Sequence, residues 1–409
     1  MVKMSAENDP PDIAREVRRA VEEERWDDLV PLSDAHAQRV ALTHPDVWPE
    51  AFDAAPDGWL QSHPRQRYMR TVYRAVEGRF SVPNGDELAM FDEWVNEQQH
   101  PLPRDMVLVE ASRLQYLRLM GRFTEAMALV ETMDDLIGMA DDYRGFDDVL
   151  PSVYIPAGMT RLAAGDLPGA IAAFQAARHW SNVGPVHPAD EHAANYLGVA
   201  LHFAGNHSEA RSTQASWAGE RRFPPGSYAY VWESASLVLP GLSSLAGLDR
   251  PELERAIDQI DDGIDEDELW WVAAHLRARH GLYWGDIAQA VDELQNTLAK
   301  KRAVSAGNTL VSDVLTSDLA DLLQAQGDLR ELPGLADEKE ARHPSVVLSR
   351  ARLRMLRGEL PAARSLLAVD SSSGQPLPSA PASWLVLRAA VERLDGGDVA
   401  ADGFAAAAA

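Results

Sequence analysis

The chain has 409 residues, no cysteine and a formal charge of −25. Single cores stop growing at roughly 250–300 residues, so several domains or an elongated array are expected. The missing cysteine excludes disulfides, thiolate metal sites and cysteine nucleophiles. The acidic balance argues against these residues binding a phosphate backbone by themselves, and no apolar run approaches the roughly 20 residues that span a bilayer.

In chain order, Met1 to Pro11 is polar and proline-bearing. It lacks the apolar stretch of a secretory signal, which makes the cytoplasm the expected compartment. Residues 10–62 carry helical periodicity without a glycine punctuation, and Arg25-Trp26 stand where a glycine turn would be. Residues 1–62 are therefore expected to form an N-terminal helical capping region.

From residue 63 to 409 an internal repeat sets the organisation. Its phrase is Gly, a polar residue, an apolar residue, then Ala or Leu three places later. It reads GRFTEA at Gly121, GDLPGA at Gly165, GNHSEA at Gly205, GDIAQA at Gly285, GDLREL at Gly327, GELPAA at Gly358 and GDVAAD at Gly397, with looser copies at Gly78 and Gly247. Successive glycines are 31 to 44 residues apart, a period of about 40. A glycine in the left-handed region ends one helix without steric cost, and the polar residue or proline after it starts the next. Apolar-periodic segments precede the glycines: Met106–Met120, Glu191–Phe203 and Thr309–Ala325 predict first (A) helices. Shorter amphipathic segments follow and predict second (B) helices, exemplified by Ala126, Leu129, Val130 and Met133. A lone hairpin cannot bury both apolar faces, so neighbours must stack. The expected fold is all-α, a tetratricopeptide-like helical-hairpin superhelix (α-solenoid) of about nine hairpins with a concave face. Prolines including Pro101, Pro103, Pro151, Pro156, Pro188 and Pro344 are expected at the joints between hairpins, and residues 370–381 read as a long loop by composition.

Motifs of common chemistries are absent. None of the four lysines, Lys3, Lys300, Lys301 and Lys339, sits in a phosphate-binding loop. The pairs His187/His192, His202/His207 and His275/His280 are five apart, a spacing that turns rings away from each other on a helix, so no metal is expected. The acidic run from Asp258 to Glu268 lacks the ligand order of a calcium loop and is expected as a solvated turn. Asp134-Asp135, Asp141-Asp142 and Asp147-Asp148 are expected as surface charge. Neither enzymatic activity nor a cofactor is expected. Between His179 and Trp284 lie six of the eleven Trp, four of the nine Tyr and seven of the twelve His. Aromatic faces beside hydrogen-bonding groups grip amphipathic metabolites, although the same residues also fill gaps between helices. Trp180, Trp217, Tyr228, Trp232, Trp270 and Trp284 are the candidate ligand-binding residues.

The phrase and its period, longer than the 34 residues of ordinary tetratricopeptide repeats, resemble the regulatory solenoid of large LuxR-type transcriptional activators of the maltose-regulator kind. Trp26-Asp27-Asp28-Leu29 and the segment from His44 to Phe80, HPDVWPEAFDAAPDGWLQSHPRQRYMRTVYRAVEGRF, resemble that family's entry into its repeats. The resemblance covers nearly the whole chain. It implies a solenoid that senses a small-molecule inducer or a regulatory protein and controls a DNA-binding helix-turn-helix, compatible with a homodimer. The family's ATP-binding switch domain has no counterpart here, which matches a shorter branch. The last phrase, at Gly397-Asp398, has barely begun its B helix before Gly403-Phe404 and five alanines. The solenoid is thus expected to be cut in its last hairpin, with the DNA-binding module beyond residue 409. The alternative reading is a stand-alone tetratricopeptide-type scaffold for protein–protein interaction.

Overall fold

The computed structural model describes residues 10–76, 79–80, 85–183, 187–214, 218–220, 222, 230–260, 264, 268–305, 309–327, 344–367 and five positions between 387 and 394. Among these, helices account for nearly all regular structure, and no helix is long and apolar enough to cross a membrane. The only strands among the described residues are Ala75–Val76 and Arg79–Phe80, paired antiparallel.

Five helices come first: α1 (Pro10–Glu22), α2 (Leu29–Thr43), α3 (Val47–Ala54), α4 (Asp57–Ser62) and α5 (Pro64–Tyr73). The short strand pair joins α5 to α6 (Gly85–Glu97). Gly78 itself lies outside the described residues, and the residues flanking it pair as strands, where a helix–glycine–helix hairpin was expected. β-Branched and aromatic residues on either side, Val76 and Phe80, suit paired strands better than a helix end.

Regular hairpins follow. The A helices are α7 (Pro103–Leu119), α9 (Phe146–Ala163), α11 (Ala189–Phe203), α13 (Ser234–Ala246), α15 (Trp270–Trp284), α17 (Thr309–Gln326) and α18 (Pro344–Leu356). The B helices are α8 (Phe123–Gly138), α10 (Leu167–Ser181), α12 (His207–Ser212), α14 (Arg250–Gln259), α16 (Ile287–Ser305) and α19 (Leu360–Leu367). Among the described residues, each A helix with a described B helix packs on it, and successive A helices pack on one another, so the fold is an all-α stack of helical hairpins. The phrase at Gly397 and the segment after Gly327 lie outside the described residues.

The A-to-B turn is a repeated backbone device. Arg122 N donates to Leu117 O at 2.8 Å and Gly121 N to Arg118 O at 2.9 Å, which satisfies the last carbonyls of α7. The same two bonds recur at Gly165, Gly205 and Gly358, all with positive φ. Five residues after the glycines at 121, 165, 205, 285 and 358 stand Ala126, Ala170, Ala210, Ala290 and Ala363, every one buried, where the absence of a larger side chain lets A and B approach. Asp166, Asp249 and Asp286 then accept from Gly169 N, Glu252 N and Gln289 N and cap the B helices. Two glycines depart from expectation. Gly247 is helical at φ −85, and the left-handed position passes to Leu248, φ 53. Gly285 is extended. At the α1–α2 turn, where no glycine exists, Glu24 takes the left-handed position at φ 54.

Pro151 and Pro156 also depart from expectation, since both lie inside α9 and not at a joint. Each removes one helical N–H donor, at about 3 kcal/mol or more. Phe146, Leu150, Val153, Ile155 and Ala157 of the same helix are buried on two sides, and at roughly 1.5–3 kcal/mol for each large side chain that burial outweighs the lost bonds. Gly158 lets α9 approach α10 closely, because a Cβ there would stand 2.5 Å from Cε1 of the fully buried Phe174 of α10.

The N-terminal helices are part of the main core. Val17, Leu29, Val40, Trp48 and Phe52 belong to the same apolar cluster as α9 to α17, and α2 packs directly on α9. α2 kinks at His36, which frees two backbone donors. Asp148 of α9, 1% exposed, accepts both, from Gln38 N at 2.8 Å and Arg39 N at 3.0 Å. Asp148, expected at the surface, is thus an N-cap supplied from another helix 110 residues away.

Candidate functional site

The described members of the sequence-predicted aromatic set do not converge on one place. Trp180 closes α10, half-buried against the α7–α9 core. Trp232 sits in a short 3-10 turn before α13 and is 7% exposed. Trp270 and Trp284 are the first and last residues of α15, which puts their backbones about 21 Å apart at 1.5 Å per residue. That exceeds what one small ligand bridges. Trp270 is also engaged, with Lys301 Nζ 5.6 Å from its ring centroid. Trp217 and Tyr228 lie outside the described residues.

What the helices do bring together is a buried polar seam along α11. At its N-terminal end His192, Asn195, Tyr196, Glu233 and Ser234 are all essentially inaccessible. His192 Nδ1 donates to Trp232 O at 3.2 Å, and the Tyr196 hydroxyl lies 3.2 Å from Ser234 Oγ. The Glu233 carboxylate accepts from Arg222 N at 3.0 Å. Burial first, then the Arg222 charge, pushes His192 down to about 3, so this imidazole is neutral near pH 7.

At the C-terminal end of α11 the seam widens across several hairpins. Here the expectation for His202 and His207 fails: the A-to-B turn falls between them, so they share no helix, and their ring centroids are 4.7 Å apart. Phe203 packs against Trp271 at 4.8 Å and against His275 at 5.7 Å. His275 Nδ1 donates to Asp318 Oδ2 at 2.7 Å, and Arg279 Nε lies 2.8 Å from Asp318 Oδ1. Arg279 Nη1 and Arg352 Nη1 then reach opposite oxygens of Asp321, at 2.8 and 2.9 Å. Two guanidinium groups and two carboxylates thus compensate each other beneath a patch of imidazole and aromatic rings.

The electrostatics follow from this packing. Burial would lower Arg279, but Asp318 and Asp321 outweigh it and hold the guanidinium above its ordinary value. His202 is driven well below its usual range by burial, then by His207 and His275. His207, on the exposed side, is lowered by partial burial and by Arg211. The arrangement stacks ring faces and imidazoles over paired, buried carboxylates, with His207 as its exposed member. Among the described residues no group of three or more His, Asp or Glu is placed to hold a metal ion.

Sequence reasoning passed over Trp271, Phe203, Arg279, Asp318 and Asp321. One signal was present: Trp271, His275 and Arg279 are spaced by four, hence on one helix face. The acidic run also holds more than solvated charge, since Glu268 pairs with Arg118 of α7. In comparisons with known proteins, no protein-family model matches the chain and no curated protein matches it.

Proposed function

We propose that the chain is the sensing solenoid of a LuxR-type transcriptional regulator, in which an inducer or a regulatory protein engaging the A-helix seam controls a DNA-binding helix-turn-helix beyond residue 409. The sensing part draws its support from one observation: side chains from four hairpins, His202 and Phe203, His275 and Arg279, Asp318 and Asp321, and Arg352, form a single network buried at its centre and partly exposed at Arg352. Apolar contacts tolerate sliding, but a compensated charge network has few arrangements that leave no buried charge unpaired. Moving one hairpin therefore moves the others, and repeat stacks convert such shifts into curvature. The transcriptional part rests on the family resemblance of the repeat phrase and of the entry segment at residues 26–80.

The test uses the full gene product read through residue 409 and beyond. Gel-shift titration on its own upstream DNA should show retardation whose midpoint changes with inducer, and Asp318→Asn should uncouple the two while leaving a shift. No DNA-binding module downstream of Phe404 would end the transcriptional reading. Tryptophan emission and melting temperature that stay unchanged across a broad metabolite panel would end the small-molecule reading.

A further inference from the structure

In a stack of hairpins each unit touches its neighbours, yet Arg118 makes a contact of another kind. It lies near the end of α7, in the first regular hairpin, and its side chain is 3% exposed. Its Nε donates to Glu268 Oε2 at 3.1 Å and its Nη2 reaches both oxygens of the same carboxylate. Glu268 is 150 residues away, just ahead of α15, with α9, α11 and α13 intervening in the stack. The remaining donors of Arg118 are used on α9: Nη1 donates to Pro156 O at 3.3 Å and Nη2 lies 3.6 Å from Met159 Sδ. α9 also packs on α17, again across intervening hairpins.

We propose that the Arg118–Glu268 pair is an electrostatic latch that holds the solenoid closed on itself, and that its release opens the inner surface of the A helices. The two partners are unequal. Arg118 is sealed in place by Pro156 and Met159, whereas the Glu268 side chain is 34% exposed and can turn to water. Glu268 is the moving half. Release leaves the A-to-B contacts and the A-to-A contacts between neighbouring hairpins intact, because none of them passes through this pair, so opening parts only the cross-stack α9–α17 contact and changes curvature without unfolding a hairpin. The latch is independent of DNA control and is tested without DNA.

The absence of cysteine permits unambiguous double labelling. Tyr116 on α7 and Tyr283 on α15 are 45% and 48% exposed and are replaced by spin-labelled cysteines in the otherwise intact chain. Pulsed dipolar spectroscopy should give a narrow distance distribution that broadens and lengthens in Glu268→Gln. Amide exchange in α7 and in the segment before α15 should accelerate about tenfold or more, with helical circular dichroism unchanged. The charge-exchanged pair Arg118→Glu with Glu268→Arg should narrow the distribution again relative to either single change. An unchanged distribution in Glu268→Gln overturns the latch. Loss of helical signal in that variant overturns it as well, since the pair would then be a determinant of folding rather than of curvature.

Discussion

Two of the regions in which this molecule buries charge are built differently. At the N-terminal joint, Arg65 of α5 bridges Asp34 of α2 and Asp105 of α7, while Arg104 reaches Asp34 through Nη2 at 3.0 Å and through the backbone oxygen at 2.7 Å. Gly145, at φ +77, closes over it, and a Cβ there would stand 2.6 Å from Arg104 Nη1. This joint consists of arginines and aspartates within a tight shell. The α11–α18 seam instead mixes arginine–aspartate pairs with neutral histidines and aromatic rings, and it opens toward solvent at His207. The joint fixes one geometry. The seam carries groups whose charge and packing can change, as the proposed sensing role requires.

The sharpest way to break the comparison is Asp105→Ala. Burial pushes the Asp105 carboxyl up, against the pull of Arg65 and Arg104, and its removal leaves two buried guanidinium groups sharing Asp34. Breaking a buried pair from one side costs about 3–5 kcal/mol, to be read as a lower urea midpoint at unchanged slope. A loss under about 1 kcal/mol would mean that the joint is no more rigid than a surface pair.

Asp318→Asn in the seam should cost less, roughly 2–3 kcal/mol, because Arg279 keeps Asp321 at 2.8 Å. Its distinctive effect is on coupling: hydrogen exchange should rise together in α15, α17 and α18, which share the network. Exchange confined to α17 would show that the seam does not link hairpins.

These two regions also divide what the sequence could and could not disclose. The hairpins were legible because a left-handed helix end is a local requirement, written as glycine at 121, 165, 205 and 358 with alanine five places on. Leu248 and Glu24 show the limit of that signal. Tertiary packing of α13–α14 and α1–α2 holds non-glycine residues in a conformation they disfavour by roughly 1–2 kcal/mol, and no local rule announces it. Pro151 and Pro156 misled for the same reason, since a joint proline and a proline tolerated by burial look alike in sequence. The joint and the seam were illegible as sites. Arg65 meets Asp34 and Asp105 across 31 and 40 residues, and His275 meets Asp318 across 43. Aromatic counting pointed to residues 179–284 and to Trp180, Trp232, Trp270 and Trp284, whereas the ring contacts within that stretch gather Trp271, Phe203 and the histidines around them.

Acid separates the regions with a smaller effect. His192 has a folded value of about 3 against about 6.5 when unfolded. Below pH 6.5 the unfolded chain therefore binds a proton that the folded chain refuses, and stability falls as pH drops, by about 1.4 kcal/mol per unit for this group. His202 acts in the same direction. Asp105, raised in the folded state, has the opposite sign: its contribution grows as pH falls through the carboxylate range. Urea unfolding at pH 7.5 and 5.5 should thus show a loss of about 1.4 kcal/mol from His192 alone, abolished in His192→Asn. An equal pH dependence in that variant would refute the assignment of buried neutral histidine.

The smallest expected effect tests whether the seam has the looser shell that the comparison gives it. Gly205 stands between His202 and His207 at φ +83, and a Cβ added there meets nothing within 4 Å. Gly205→Ala therefore incurs only the left-handed backbone penalty, about 1 kcal/mol, and should leave the two imidazoles in contact. The matched change Gly145→Ala has the same backbone penalty but also drives a methyl group into Arg104 and to 3.2 Å from Asp34 O. It should exceed Gly205→Ala by about 1–3 kcal/mol, the usual range for an overpacked site. If thermal unfolding places the two variants within error of each other, Arg104 yields as easily as open solvent does, and the distinction between a locked joint and an adaptable seam disappears.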